Sequence, residues 1–392
     1  MKITNQINRA LIICDAYIRG HITKKNSTDK KTIGIVFQQL FGDAVVFQNA
    51  LIEYSLFFSE KNEYNIKLLI RPSVASFIKN VIEIPKTIEI CEIDFKKFLC
   101  DYSYYKAIVK LYRGAISTIV VPGTSLSAEI FSVSNNAKRK VGLVRSSDIT
   151  RPIIMALFAK MAYTERVRPN REDMMLQRHR LLLNYFGDKT YKAKLPILLT
   201  KENIVREERY CVMCPGSSKI EKCWPIERFA EVADFIIETY DMNIHLCGGA
   251  DEIHFEKLII DNVRNSKRIL SHIGKTNFSD WSSIVQHADL VVGNDSATMH
   301  IAAASRRKAI CIAGAYDKYQ FFPYKVDELD EGECLPVTLV KDMFCAWCRT
   351  TGYDAGYGNE ECKKRIKENK CACCIDLITV SDVIKKIGEL MR

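Results

Sequence analysis

At 392 residues the chain has material for two domains, and at 47% hydrophobic and 27% charged it has the composition of an ordinary globular protein. A formal charge of +10 points to an anionic partner. Nucleic acid is set aside, because no basic motif interleaved with aromatics and no nucleic-acid module is present. No run of about 18 apolar residues occurs, so no membrane-spanning helix is expected. The run Ala10-Leu-Ile-Ile-Cys is too short for a signal-peptide core and is interrupted by Asp15. The expectation is a cytoplasmic protein whose fifteen cysteines are reduced.

Residues 1–31 read as a basic extension. Ile3, Ile7, Ala10, Leu11, Cys14, Tyr17 and Ile18 recur at helical spacing, with Lys2, Arg9, Arg19, Lys24 and Lys25 around them. Such a helix fits an anionic bilayer surface through residues 1–25, on the inner face of the plasma membrane, and it fits equally well packed on the first domain. That domain is assigned to 32–200. It opens with a buried strand at Ile33–Phe37, a loop from Gln38 to Asp43 and an apolar helix from Ala44 to Phe58. Further strands are expected at Asn65–Ile70, Ala107–Lys110, Ser117–Val121 and Arg139–Leu143. Residues 151–190 read as helical, with Met155, Leu157, Phe158, Met161 and Leu181–Leu183 as core candidates. The crossing between domains is expected near Pro196 and Lys201.

The second domain, 201–376, contains three strand–turn–helix units in succession. Strand Cys211–Cys214 runs into Pro215-Gly216 and the polar residues Ser217, Ser218 and Lys222, and a helix follows with Pro225 at its first position. Strand Asn243–Cys247 runs into Gly248-Gly249-Ala250 and a helix carrying Glu252. Strand Ala288–Val292 stops at Gly293-Asn294, and Asp295 or Ser296 caps a helix bearing His300. Hydroxyls, a lysine and helix starts at strand carboxyl ends suit a diphosphate held without a metal. The bland alternative is a set of capping residues and a solvated lysine. A further strand is expected at Ala309–Ala313, an acidic loop from Asp327, and a closing helix over 377–392.

The order Pro-Gly-Ser-Ser…Lys-x-Trp-Pro-x-Glu-Arg-Phe, Gly-Gly-x-x-Glu, Gly-Asn-Asp-Ser-x-x-x-His-x-Ala-Ala-Ala resembles glycosyltransferase family 9, which includes the lipopolysaccharide heptosyltransferases. The resemblance is strong from about Cys211 to Pro323, weaker from Ile33 to Leu143, and returns at Leu377–Val383. It departs at Ala297, where the family usually has glycine. It implies a GT-B fold: two Rossmann-like domains with parallel sheets facing a central cleft, and a final helix crossing back to the first domain. It also implies an inverting, metal-independent transferase with no required cofactor. The donor would be a nucleoside-diphosphate sugar and the acceptor a glycolipid or oligosaccharide, such as a lipopolysaccharide core. Under that resemblance Asp43, otherwise read as a helix cap, becomes the general base, and Lys222 stabilises the leaving diphosphate. Ser217, Ser218, Lys222, Asp295, Ser296 and His300 would hold the donor, and Glu252 its ribose. No Asp-x-Asp triplet of the metal-dependent single-domain transferases occurs.

Six cysteines fall in the segment 345–374. Cys345 and Cys348 have ligand-like spacing, and with Cys362 and Cys371 could bind a structural zinc; Cys373 and Cys374 lie beside them. Free thiols are the other reading. Two further function classes stay open. One is a basic, non-catalytic binding protein with a zinc-stapled module. The other is a Rossmann-type dehydrogenase, disfavoured because Gln38-Gln-Leu-Phe-Gly stands where Gly-x-Gly-x-x-Gly belongs.

Overall fold

The computed structural model describes residues 2–22, 31–123, 125–144, 153–170, 172–199, 208–331, 334–346, 348 and 360–392. The expectations for Lys24, Lys25 and Lys201, and part of the cysteine-rich segment, lie outside these residues. The chain divides into two compact units. One holds Met1–Lys79, Ile84–Asn170 and Arg178–Tyr191, and the other Asn80–Glu83, Arg171–Gln177 and Lys192–Arg392.

The first unit is built on strands β1 (Thr32–Val36), β2 (Asn65–Ile70), β3 (Ile88–Glu92), β4 (Thr118–Val121), β5 (Arg139–Leu143) and β6 (Glu165–Val167). They pair in the order β3-β2-β1-β4-β5-β6, all parallel. The second unit uses β7 (Tyr210–Cys214), β8 (Asn243–Leu246), β9 (Ile269–Ser271), β10 (Leu290–Asn294), β11 (Ala309–Ile312) and β12 (Val337–Leu339). Their order is β12-β11-β10-β7-β8-β9, again all parallel. Each sheet therefore begins in its middle and winds outward both ways. The crevice at the carboxyl ends of β1 and β4, or of β7 and β10, is the topological switch point where such sheets bind ligands. Central strands are apolar because helices cover both faces: β1, β4, β7, β10 and β11 are buried at every position.

Several expectations need correction. Ala107–Lys110 is not a strand; it lies within the helix Tyr102–Tyr112. The Asp101 side chain starts that helix by accepting the Tyr104 N–H at 3.0 Å. The third strand is β3, whose Ile-Glu-Ile-Cys-Glu alternation suits its place at the sheet edge. The helix placed at Ala44–Phe58 runs over Phe41–Tyr54 and continues as a π-helical turn, Ser55–Glu60. The stretch 151–190 is interrupted by β6, between helices Ile153–Ala162 and Met175–Phe186. Leu157 is exposed, whereas Phe158, Leu182 and Leu183 are buried.

Helix Lys2–Ile22 buries Ile12 and Ala16 in the core of the first unit, against helices Tyr102–Tyr112 and Leu126–Ser134. The final helix, Val380–Met391, sends Val383 and Ile387 into the core of the second unit and packs on helix Ile226–Tyr240 and on β11 and β12. The thiols of Cys211, Cys247 and Cys311 are buried on or just beyond strands, as small hydrophobes.

Candidate active site

The switch point of the second sheet is built by Asn294, the last residue of β10. Its side chain is fully buried, accepting the Trp224 N–H at 3.0 Å and donating to the Pro215 carbonyl at 2.6 Å. One amide thereby fixes both ends of the loop Pro215–Trp224 to β10. Gly293 permits the approach, since a Cβ there would lie 2.8 Å from the Cys214 carbonyl. Trp224 is anchored from its other end, its indole donating to the Ile378 carbonyl at 2.8 Å. Arg228 donates to the Asp376 and Ile378 carbonyls at 2.7 and 3.0 Å. The Trp-Pro and Glu-Arg-Phe parts of the motif thus hold the loop and the residues before the last helix in register.

Within this frame Lys222 ends a short 3-10 turn, Ile220–Lys222, and reaches Asp295 at 3.2 Å, with each side chain 11% exposed. Ser217 donates to the Asp295 carbonyl at 3.1 Å, tying the two loops a second time. The Lys222 ammonium also stands 6.0 Å from the Tyr316 ring. Ser296 occupies the N-cap of helix Ala297–Ala304, but its hydroxyl makes no capping bond and has no hydrogen-bond partner among the described residues. Pro225 likewise sits at the N-cap rather than the first helical position, which is Ile226. Ser218 is exposed on the same loop.

His300 is buried one turn further on. Its ring is stacked on Phe322 at 4.9 Å, and its Nδ1 is 2.9 Å from the Tyr324 hydroxyl. Burial pushes its pKa down to about 4, with smaller opposing effects from the Asp295 and Lys222 charges, so the imidazole is neutral near pH 7.

Glu252 arrives from the neighbouring turn. Its carboxylate accepts the Gly249 N–H at 3.0 Å and lies over two glycines. A Cβ on Gly216 would meet its Oε1 at 1.9 Å, and one on Gly248 its Oε2 at 2.4 Å. Only residues without side chains leave room for it there. Burial lifts the Glu252 pKa to about 6, opposed by the Gly249 N–H and helped slightly by Asp251.

Lys222, Asp295, His300, Ser217, Ser296 and Glu252 are all set around the loops that follow β7, β8 and β10. Asp43 belongs to the first unit, in the loop-to-helix passage after β1. It is the third residue of helix Phe41–Tyr54, and its carboxylate accepts the Leu40 N–H at 3.2 Å. It is not the N-cap, a position held by Leu40. Nearby, the Gln38 side-chain amide oxygen accepts from the hydroxyls of Ser125 and Ser127, joining the loops after β1 and β4. Sequence reading missed Asn294, Tyr316 and Tyr324 as parts of the second site. Asn294 carried a usable signal, a polar residue closing a wholly apolar strand. The tyrosines carried none, being remote in sequence.

Two six-stranded parallel sheets of this winding, each covered by helices, are the architecture of the GT-B fold. The sequence profile of glycosyltransferase family 9 (heptosyltransferase) matches residues 117–329, more than half of the chain. The chain belongs to glycosyltransferase family 9. It is 31% identical over 122 residues to lipopolysaccharide heptosyltransferase 3 of Escherichia coli K12. That match spans 30% of this chain and 34% of the relative, so the chain is aligned with about a third of it. A solved family 9 glycosyltransferase from Veillonella parvula superposes with a TM-score of 0.68 at 16% identity, covering 93% of this chain and 98% of that one. The Escherichia coli ADP-heptose heptosyltransferase II gives 0.62 at 14% identity, covering 92% and 98%.

Proposed function

We propose that the protein transfers a sugar, with heptose the leading candidate, from a nucleoside-diphosphate sugar to a lipopolysaccharide core or another surface-glycan acceptor, with inversion. The observation that carries this reading is the buried Lys222–Asp295 pair at the switch point of the second sheet. A lysine there would face the diphosphate as it gains charge when the glycosidic bond breaks. The hydroxyls of Ser217, Ser218 and Ser296 and the start of helix Ala297–Ala304 would share the phosphate oxygens. Glu252 would accept from the ribose hydroxyls, Asp295 would accept from hydroxyls of the donor's sugar, and neutral His300 would hold its sugar or phosphates. Asp43, at the carboxyl end of β1, would take the proton from the acceptor hydroxyl as it attacks the anomeric carbon. With charge neutralised by side chains, the reaction would require no metal or other cofactor at the reacting centre.

The test is transfer from ADP-heptose to a heptose-deficient core acceptor. Asp43→Asn is expected to lower turnover by about 10²–10⁴ while leaving ADP binding intact. Near-normal turnover in both Asp43→Asn and Lys222→Ala would overturn the assignment.

We also propose that the protein works on the cytoplasmic face of an anionic bilayer, close to its glycolipid acceptor. While Ile12 and Ala16 of the first helix face the core, Ile7, Leu11 and Ile18 are exposed at 57%, 45% and 52%. A second apolar stripe on a chain of charge +10 suits an anionic lipid surface. Sedimentation with phosphatidylglycerol vesicles but not with phosphatidylcholine vesicles is expected, and Ile7→Asp with Leu11→Asp should abolish it. Equal recovery with both lipids would remove the proposal.

A further inference from the structure

The cysteine-rich segment makes a second site, apart from the sugar-transfer chemistry. Cys345, Cys348, Cys362 and Cys374 line a single small cavity of about 10 Å³, together with Met343, Ala346, Ala372, Ala315 and Tyr316. Cys371, named from the sequence as the fourth member, does not border this cavity. The Cys371 sulfur is turned instead to Arg365, whose Nη2 is 3.5 Å away, and to the Asp376 carboxylate at 4.0 Å. Cys374, only three residues on, supplies the missing wall.

What sets these thiols apart from a solitary core cysteine such as Cys211 is that four of them share one cavity wall. Two of the four also receive backbone N–H groups. The Cys373 N–H donates to the Cys362 sulfur at 3.3 Å, and those of Ala315 and Tyr316 donate toward Cys374. Such donors stabilise thiolates and are the usual outer shell of metal–sulfur sites. The cavity also joins stretches far apart along the chain: the turn Ala315–Asp317, the residues around Cys345, and the helices Glu360–Lys367 and Cys373–Asp376. A metal held between them would tie them together and contribute folding energy directly.

We propose that Cys345, Cys348, Cys362 and Cys374 form a tetrathiolate site for one divalent metal of borderline softness, zinc or ferrous iron. Among the described residues no three His, Cys, Asp or Glu side chains stand together at ligating distances. A change of χ1 rotamer moves a cysteine sulfur by about 3 Å, enough to close so small a cavity onto metal–sulfur bonds of about 2.3 Å. Each thiol releases its proton to solvent as it binds, so uptake strengthens with pH. Because Cys374 is bonded to the turn Ala315–Asp317, and the Tyr316 ring borders Lys222, the metal also braces one wall of the donor site.

The experiment is elemental analysis of the full chain purified under anaerobic, reducing conditions, before and after incubation with zinc or ferrous iron alone. About one metal per chain is expected, and its identity separates the two candidates. Cobalt replacement should give thiolate-to-metal charge-transfer absorption with tetrahedral ligand-field bands. The pair Cys345→Ser and Cys348→Ser should retain less than about a tenth of a metal, whereas Cys371→Ser should bind like the wild type. If the double variant does not fold, the stoichiometry and cobalt spectrum of the wild type decide the matter. Less than about a tenth of a metal in the wild type after loading, or loss of metal in Cys371→Ser with retention in Cys374→Ser, would overturn the proposal.

Discussion

The Lys222 ammonium lies 3.2 Å from Asp295 Oδ2, a nearly buried ion pair at the carboxyl ends of β7 and β10. In the ligand-free protein Asp295 therefore neutralises the cation assigned to the diphosphate, and the two anions compete for it. Lys222→Ala should weaken ADP binding by about a hundredfold, the size of a lost charge-assisted contact. Asp295→Asn should leave ADP binding equal or tighter while lowering thermal stability, since one partner of a buried pair is gone. Calorimetric titration of both variants separates these outcomes. A hundredfold loss in Asp295→Asn as well would show that the pair acts as one structural unit and not as rivals.

Glu252 gives a pH dependence whose sign follows from its burial. The folded protein keeps this proton up to about pH 6, against about 4.5 for the ordinary carboxyl. Its contribution to stability is present below that window and fades as the pH rises through it, by about 2 kcal/mol at most, because the side chain is partly wet. Donor binding runs the other way, since ribose hydroxyls bond better to a carboxylate. ADP affinity should rise as the pH goes from about 5 to about 7 and be flat in Glu252→Gln. Gly216→Ala should push the same carboxylate aside and cost about tenfold in ADP affinity, with no further loss when combined with Glu252→Ala. Additive losses would separate the two residues.

His300 responds to acid. Its folded pKa of about 4 lies below the ordinary 6.5, because burial disfavours the imidazolium. An unfolded chain takes up the proton first, so this group's share of stability is lost as the pH falls from about 6.5 to about 4, by about 3 kcal/mol. Buried His179 and half-buried His245, held down to about 3 and about 4 chiefly by desolvation, add in the same direction. Urea unfolding across this range should show a shallower pH slope for His300→Phe than for the wild type. An unchanged slope would mean that His300 takes up its proton equally in the folded and the unfolded chain.

Legibility in the sequence followed the range of the interactions. β1, β2, β4, β5, β7, β8, β10 and β11 could be read from apolar runs ending in glycine, proline or polar residues, since burial on both faces writes a continuous signal. The edge strands β3, β6, β9 and β12 were missed: they are short or half-exposed, and the sheet, not their composition, makes them strands. Ala107–Lys110 misled because Ile108 and Val109 favour strands locally, while the Asp101 cap and the packing of Tyr105 and Tyr112 hold a helix. In the second site, Lys222 and Asp295 were readable as a loop lysine and a post-strand carboxylate. Their pairing across 73 residues was not. Cys374 was passed over for Cys371 because spacing carries no information about which sulfur faces inward.

Asn294 offers the sharpest test of how the site is built. Alanine there would leave the Trp224 N–H without its acceptor and the Pro215 carbonyl without its donor, both in a region closed to water. Unmet buried polar groups of this kind cost about 1–3 kcal/mol each, so Asn294→Ala should lower the melting temperature by roughly 5–10 °C. Asn294→Asp should do no better, because it keeps the acceptor for Trp224 but sets a second oxygen 2.6 Å from the Pro215 carbonyl. Both variants should also weaken ADP binding, since the loop bearing Ser217 and Lys222 loses its register with β10. A melting curve and an ADP titration check the two consequences together. Wild-type values in Asn294→Ala would mean that Trp224 and Pro215 are held by the tail contacts at Ile378 alone, and that β10 does not position the loop.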